Sequence, residues 1–295
     1  MKYIFIVVLI VGLIGCEKKV EFDLNEAKEL LTVDASIETN QDPFVVLTKS
    51  LNYFSTVSAA VLANTLIKDA EVYLSTGNTI HKLKRYDVTV PGTTIPFSFY
   101  SSDPANPSTI IRGESGRSYG LRIVWQGNEY TSNTTIPAIR KTIDSLWWVK
   151  APNTPDTSTK VVVRAKINDR QPFGDYIRYF TRVNSGSFLP GFNSVFDDSF
   201  VNGTVYTVDV DRGIDRNAEL DFENFGFFRK GDTVTVKFSN INKATFDFWR
   251  TVEFSYQSIG NPFSTPTKIL GNISNGGLGY FGGYANQFTT IVIPR

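Results

Sequence analysis

Apolar side chains recur at every second position along much of this chain, and that spacing limits it to one class of backbone. Leu31, Val33, Ala35 and Ile37 alternate with Thr32, Asp34, Ser36 and Glu38. A period of two places one set of side chains in a core and the other in water, as a half-buried strand requires. The pattern returns at Tyr119, Leu121, Ile123 and Trp125, and again at Val161, Val163, Ala165 and Ile167. Tyr206, Val208 and Val210 repeat it, as do Val234, Val236 and Phe238. Gln126-Gly127-Asn128 reads as a hairpin loop. The 23 Phe, 13 Tyr and 4 Trp residues favour strands as well. The fold class is therefore mainly β, and antiparallel sandwiches are the simplest architecture that buries one face of each strand.

Two segments depart from the alternation. A short helical turn is predicted over 25–31. In the stretch 243–257, Phe246, Trp249, Val252 and Tyr256 recur at helical spacing behind Asn242, a residue suited to capping. The same stretch also holds a partial strand pattern, but it exceeds ordinary strand length, and a helix is predicted. A chain of 295 residues suits two domains. The boundary is expected between Pro137 and Asp144, dividing the body into 31–140 and 141–295. Ala151 to Thr159 is expected to be a long hairpin loop.

The N-terminus carries a different signal. Lys2 precedes an apolar run from Ile4 to Ile14, interrupted by Gly12. The run is too short to span a bilayer, which takes about twenty apolar residues, and has the form of a secretory signal. It ends in Leu13-Ile14-Gly15-Cys16. This tetrapeptide resembles the bacterial lipobox, in which the signal is cut before the Cys, the thiol is diacylated and the new amine is acylated. The expectation is a signal peptide over 1–15, cleavage between Gly15 and Cys16, lipidation at Cys16, and a tether over 16–30. Cys16 is the one Cys in the sequence, so the mature chain has no disulfide framework. Acyl chains contribute about 0.8 kcal/mol per buried methylene, and several of them anchor a domain stably to a membrane. Lys plus Arg number 30 against 29 Asp plus Glu. That balance excludes broad electrostatic capture of nucleic acid.

Several stretches together resemble a family. In the N-terminal half they are Leu31-Thr-Val-Asp-Ala-Ser-Ile37, Phe44-Val-Val-Leu-Thr-Lys-Ser50, Asp69-Ala-Glu-Val-Tyr73 and Gly116-Arg-Ser-Tyr-Gly-Leu-Arg-Ile123. In the C-terminal half they are Val195-Phe-Asp-Asp198, Gly231-Asp-Thr-Val-Thr-Val236, Phe246-Asp-Phe-Trp249 and Asn261-Pro-Phe263, followed by Gly271-Asn-Ile-Ser274 and Gly279-Tyr-Phe-Gly-Gly-Tyr284. In order and spacing they resemble the Bacteroidota outer-membrane lipoproteins that carry the domain of unknown function DUF4249. The resemblance implies an N-terminal immunoglobulin-like β-sandwich over 31–140 and a larger β-rich sandwich or barrel-like domain with a short helix over 141–295. It also implies company with TonB-dependent outer-membrane receptors, and it supplies no catalytic residues. Glu17 followed by Lys18 and Lys19 is a weak form of the acidic surface-export signal of such lipoproteins. Localisation is therefore expected at the outer membrane, with the cell surface slightly favoured over the periplasmic face.

The remaining motifs are modest. Gly277-Leu-Gly279-Tyr-Phe-Gly282 matches the dinucleotide fingerprint, yet only thirteen residues follow it and they read as a closing strand. No cofactor is expected. The aromatic residues Tyr280, Phe281 and Tyr284 are expected to plug either the core or a partner groove, and with Phe263 they form the predicted partner contact. Asp209, Asp211 and Asp215 resemble the start of a calcium loop, but the twelfth position is Leu220, which cannot ligate. They are at most a weak calcium candidate in a locally acidic segment. His81 is the single His, so zinc sites and catalytic triads lack their usual parts, and it is expected on an exposed strand face. Trp147 and Trp148 are adjacent and face opposite ways in a strand, one of them inward. Asp144-Ser145-Leu146 and Asp232-Thr233-Val234 match a permissive O-glycosylation pattern. No pair of carboxylates stands out for glycoside hydrolysis. The expected function is a non-enzymatic outer-membrane lipoprotein that assists a TonB-dependent receptor in nutrient capture. The alternative is a stand-alone carbohydrate- or peptide-binding module with exposed aromatic platforms.

Overall fold

A computed structural model describes residues 29–295, apart from 52–57, 91–92, 94, 220, 222, 262 and 266. The predicted signal peptide, the lipobox-like tetrapeptide and most of the predicted turn over 25–31 lie outside the described residues. Leu31 itself opens a strand.

The chain is mainly β, arranged as sandwich-like units, with two α-helices and one 3-10 turn among the described residues. The strands of the first half are β1 (Leu31–Glu38), β2 (Phe44–Lys49), β3 (Glu71–Thr76), β4 (Thr79–Lys82), β5 (Lys84–Thr89), β6 (Pro96–Ser101), β7 (Ser118–Trp125) and β8 (Asn128–Thr135). The second half adds β9 (Thr142–Lys150), β10 (Lys160–Asn168), β11 (Tyr176–Val183), β12 (Leu189–Phe196), β13 (Val205–Val210), β14 (Phe228–Arg229), β15 (Thr233–Ile241) and β16 (Leu278–Val292). Helix α1 covers Ala59–Thr65 and α2 covers Lys243–Gln257.

One eight-stranded sheet, in the order β12-β11-β15-β16-β1-β2-β6-β5, runs through both sandwiches. A four-stranded sheet, β4-β3-β7-β8, covers its β1 end. In the second four-stranded sheet β10 pairs with β9, β13 and β14, and this sheet covers the β11-β15 end. Strand β16 joins the two ends. Its first half pairs parallel with β1, Thr32 to Glu38 against Leu278 to Tyr284. Its second half pairs antiparallel with β15, up to Thr233 against Val292. Phe281 and Ala285 thereby enter the core of the first sandwich, together with Leu31, Val33, Ala35 and Ile37.

Glycines make that junction sterically feasible. Gly279 has a φ of 93°, and a Cβ there would lie 1.9 Å from the Val33 carbonyl oxygen. At Gly283 a Cβ would lie 2.7 Å from the Thr135 carbonyl oxygen. Any side chain at either position would push strands apart. The fingerprint-like glycines thus serve strand packing, and Gly279 and Gly282 sit inside β16 with no helix after them.

Local signals act where they are strong. Gln126 and Gly127 adopt φ of 48° and 75° and turn β7 into β8, with Trp125 opposite Asn128. Positive φ at both central residues is the geometry of a tight hairpin turn. The loop from Ala151 to Thr159 joins the paired strands β9 and β10. Helix α2 starts where Asn242 Oδ1 accepts a hydrogen bond from the Thr245 N–H at 2.8 Å. His81 departs from its expectation: it is buried, opposite Leu74 on β3. Trp148 packs against the second core.

Candidate functional site

The second sandwich is open along one side. There β12 is the edge of the large sheet and β13 the edge of the small one, so no ladder closes the gap between them. Helix α2 packs beside β12 and walls part of the opening. The result is a cavity of about 970 Å³ between the sheets. Its floor is apolar, with Ala165, Ile167, Ile177, Val236 and Phe238 from the facing sheets. Tyr179 and Tyr206 project from β11 and β13 into the same space.

The mouth combines exposed aromatic side chains with polar groups. Phe200 is 99% exposed, Phe254 53% and Phe196 47%. Asn193, Asp211, Arg250 and Gln257 surround them. The alternation along β13 explains the unfilled volume. Val210 is buried, but Val208 lines the cavity and remains 39% exposed. The apolar face of β13 therefore points at space rather than at a filled core. Desolvation against the cavity wall, joined by the charge of Asp209, raises the Asp211 carboxyl above its ordinary value of 3.8. Desolvation also holds the Tyr206 phenol protonated, pushing it up to about 12.

The wall under α2 holds a polar network centred on Glu253. Glu253 accepts hydrogen bonds from the Ser194 N–H at 3.1 Å, from the Ser194 hydroxyl, and from Arg216 Nη2 at 3.0 Å. Its three donors leave the carboxylate satisfied although it is only 5% exposed.

The predicted partner contact is largely internal. Tyr280 and Tyr284 are each 5% exposed and Phe281 is fully buried. Tyr280 stacks on Phe248 with centroids 4.5 Å apart, and the Tyr284 hydroxyl accepts a hydrogen bond from Trp249 Nε1 at 2.8 Å. These three rings fill the seam around β16 and are not available to a partner. Phe263 is 95% exposed and is the one member of the predicted contact on the surface. Gly15 and Cys16 lie outside the described residues.

The acidic residues gather elsewhere than expected. Asp209 is paired with Arg164 at 2.8 Å, and Asp215 accepts from the Asn217 N–H in its own turn. Among the described residues, the carboxylates that converge are those of Asp169, Asp175 and Asp198, with oxygens within 4.8 Å of one another. Two basic side chains already stand in this cluster. Arg140 Nε lies 2.9 Å from Asp175, and Lys141 Nζ lies 3.4 Å from Asp169. Sequence reasoning missed both the cavity and this cluster. Neither has a local signature: the cavity is assembled from strands far apart in the chain, and the cluster from the connection between β10 and β11 and the turn after β12.

No helix among the described residues is long and apolar enough to cross a membrane. No curated protein matches the chain. A family model described as "Domain of unknown function (DUF4249)" matches residues 17–290, nearly the full length, and the chain belongs to that family.

Proposed function

We propose that the protein is a non-enzymatic binding protein, lipid-anchored at the outer membrane through Cys16, that takes an apolar or aromatic small molecule into the cavity of its second sandwich. One observation carries this reading: an apolar-walled cavity of about 970 Å³ with aromatic side chains at its mouth. Ligand sites of this kind run from roughly 300 to 1,000 Å³ and place a few polar groups on mostly apolar walls. Membership of the family supports association with the outer membrane. The further proposal is that the protein works beside a TonB-dependent receptor in nutrient capture, with Phe263 at the contact.

The test is the set of small molecules that copurify with the protein, extracted and compared between wild type and Val208→Trp. The substitution places an indole in the mouth at a position that is 39% exposed, so the core is left intact. Apolar species present in wild type and depleted in the variant are the expected result. Equal amounts in both would exclude the cavity as the binding site. For the receptor, recovery of an outer-membrane barrel with the tagged protein from solubilised membranes is expected, and its loss on Phe263→Ser.

A second reading is favoured by a separate feature. Phe44, Phe97, Phe99 and Tyr86 form a ladder of rings on the outer face of β2, β6 and β5, with neighbouring centroids 5.0 to 6.2 Å apart. Such a platform suits stacking on sugar rings. Calorimetry against a glycan panel, with Phe99→Ala as the control, separates it from the cavity reading.

A further inference from the structure

The cluster at the start of the second sandwich contains an ion pair that the fold does not satisfy. Lys141 and Asp169 side chains are both fully enclosed, with 0% exposure. Beyond their mutual contact, neither Lys141 Nζ nor either carboxylate oxygen of Asp169 has a hydrogen-bond partner. Desolvating two charges costs several kcal/mol per ion, and attraction offsets this only when hydrogen bonds complete the pair. A buried pair 3.4 Å apart with no further hydrogen bonds is poorly stabilised as ions.

The pair is nevertheless held rigidly. Strands β9 and β10 pair Ile143 with Ile167 and Thr142 with Asn168, so Lys141 and Asp169 are the next opposed residues. Asn240 grips the Lys141 backbone from β15: its Oδ1 accepts from the Lys141 N–H at 2.9 Å and its Nδ2 donates to the Lys141 carbonyl at 2.9 Å. Gln287 Nε2 donates to the same carbonyl at 2.9 Å. Nucleophile and carboxyl are thus fixed next to one another, which supplies the high effective concentration of an intramolecular reaction.

A third group completes the arrangement. Asp198 is fully buried. Its Oδ2 accepts from the Gly174 and Asp175 N–H groups at 2.9 and 3.1 Å, while its Oδ1 has no hydrogen-bond partner. Asp175 is paired with Arg140 and Asp169 with Lys141, so Asp198 is the carboxyl of the three without a cationic partner, its oxygen within 4.8 Å of the others.

We propose that Lys141 and Asp169 condense into an intramolecular amide that staples β9 to β10, with Asp198 carrying the proton. The Lys141 ammonium first passes its proton across the pair to the Asp169 carboxylate, and the amine so formed attacks Cγ of the resulting carboxyl. Asp198 takes the proton from Nζ and returns it to the departing hydroxyl. One C–N bond forms, one C–O bond breaks and one water leaves, with no change in oxidation state. Burial, which raises the Asp169 carboxyl above its ordinary value, favours the protonated form that this step needs. The product replaces two buried charges with one neutral amide.

Peptide mapping of the full-length wild-type protein, digested with trypsin after denaturation, decides the matter. The expected result is a branched peptide joining Lys141 to Asp169, lighter by one water than its two linear parts, with no cleavage after Lys141. Full recovery of both linear peptides and no branched species would overturn the proposal, and this readout needs no variant to fold. Asp198→Asn tests the proton carrier in freshly synthesised protein. The branched peptide is expected to form about a hundredfold more slowly than in wild type. An unchanged rate in a variant with wild-type circular dichroism would remove Asp198 from the proposal.

Discussion

The guanidinium of Arg178, on β11, lies 3.4 Å from the centre of the Trp249 ring on α2. Phe180 stands beside the same guanidinium at 4.6 Å, and Ser194 Oγ accepts from its Nε at 3.3 Å. Desolvation pushes the Arg178 pKa down to about 10. The helix is thus held to the large sheet by a buried cation on an aromatic face, an interaction that strengthens when water is excluded. Because α2 also walls the cavity, this contact links the stability of the sandwich to the shape of the site.

Trp249→Leu removes the face that Arg178 rests on and the donor to the Tyr284 hydroxyl. A loss of about 2–4 kcal/mol is expected, combining the cation–π contact with one buried hydrogen bond. Urea denaturation followed by circular dichroism measures it; a loss below about 1 kcal/mol would mean that the contact contributes little.

Glu253→Ala strips the acceptor from Ser194 and Arg216 and leaves buried positive charge uncompensated. The expected cost is about 3–5 kcal/mol. Glu253→Gln keeps the shape and some of the hydrogen bonds, so it should cost less. If the two variants melted alike, shape and hydrogen bonding would be immaterial and charge alone would be at stake.

Gly279→Ala forces a methyl group against the Val33 carbonyl at a residue with positive φ. About 3 kcal/mol or more should be lost. Hydrogen exchange should quicken first along β1 and the first half of β16, where the parallel ladder opens. Protection unchanged in β1 would show that the junction tolerates the extra atom.

Asp211→Asn probes the mouth of the cavity. A carboxyl whose folded-state pKa is raised contributes stability that is full below its unfolded value of 3.8 and is lost as pH rises through the folded value. The variant is therefore expected to be more stable than wild type at neutral pH. Its advantage should shrink as pH falls through the folded-state pKa of Asp211. Melting curves at several pH values check the sign, and an advantage that grew on acidification would contradict it.

Cys16→Ser removes the thiol on which the anchor is proposed to be built. The variant is expected in the soluble envelope fraction, with no incorporated palmitate, while wild type stays with the outer membrane. Equal partitioning of the two would remove the lipid anchor from the functional reading.

Features that depend on near neighbours were legible along the chain. Leu31 to Ile37 and Val161 to Ile167 declare strands because a pleated backbone turns successive side chains to opposite faces. Gln126-Gly127 declares a tight turn, and Asn242 with the spacing of Phe246, Trp249 and Val252 declares α2, since caps and helical faces act within a few residues. Where those faces meet depends on long-range pairing. The apolar side of β13 was legible, but not that it would border an open cavity, because that depends on β12 and β13 being edges of different sheets. Tyr280, Phe281 and Tyr284 read equally well as core or as partner surface along the chain; the course of β16 between β1 and β15 makes them core. Lys141, Asp169 and Asp198 look like ordinary charges along the chain; only the register of β9 with β10 and the turn after β12 enclose them together. Burial and proximity come from chain segments far apart in sequence, and no local pattern encodes them.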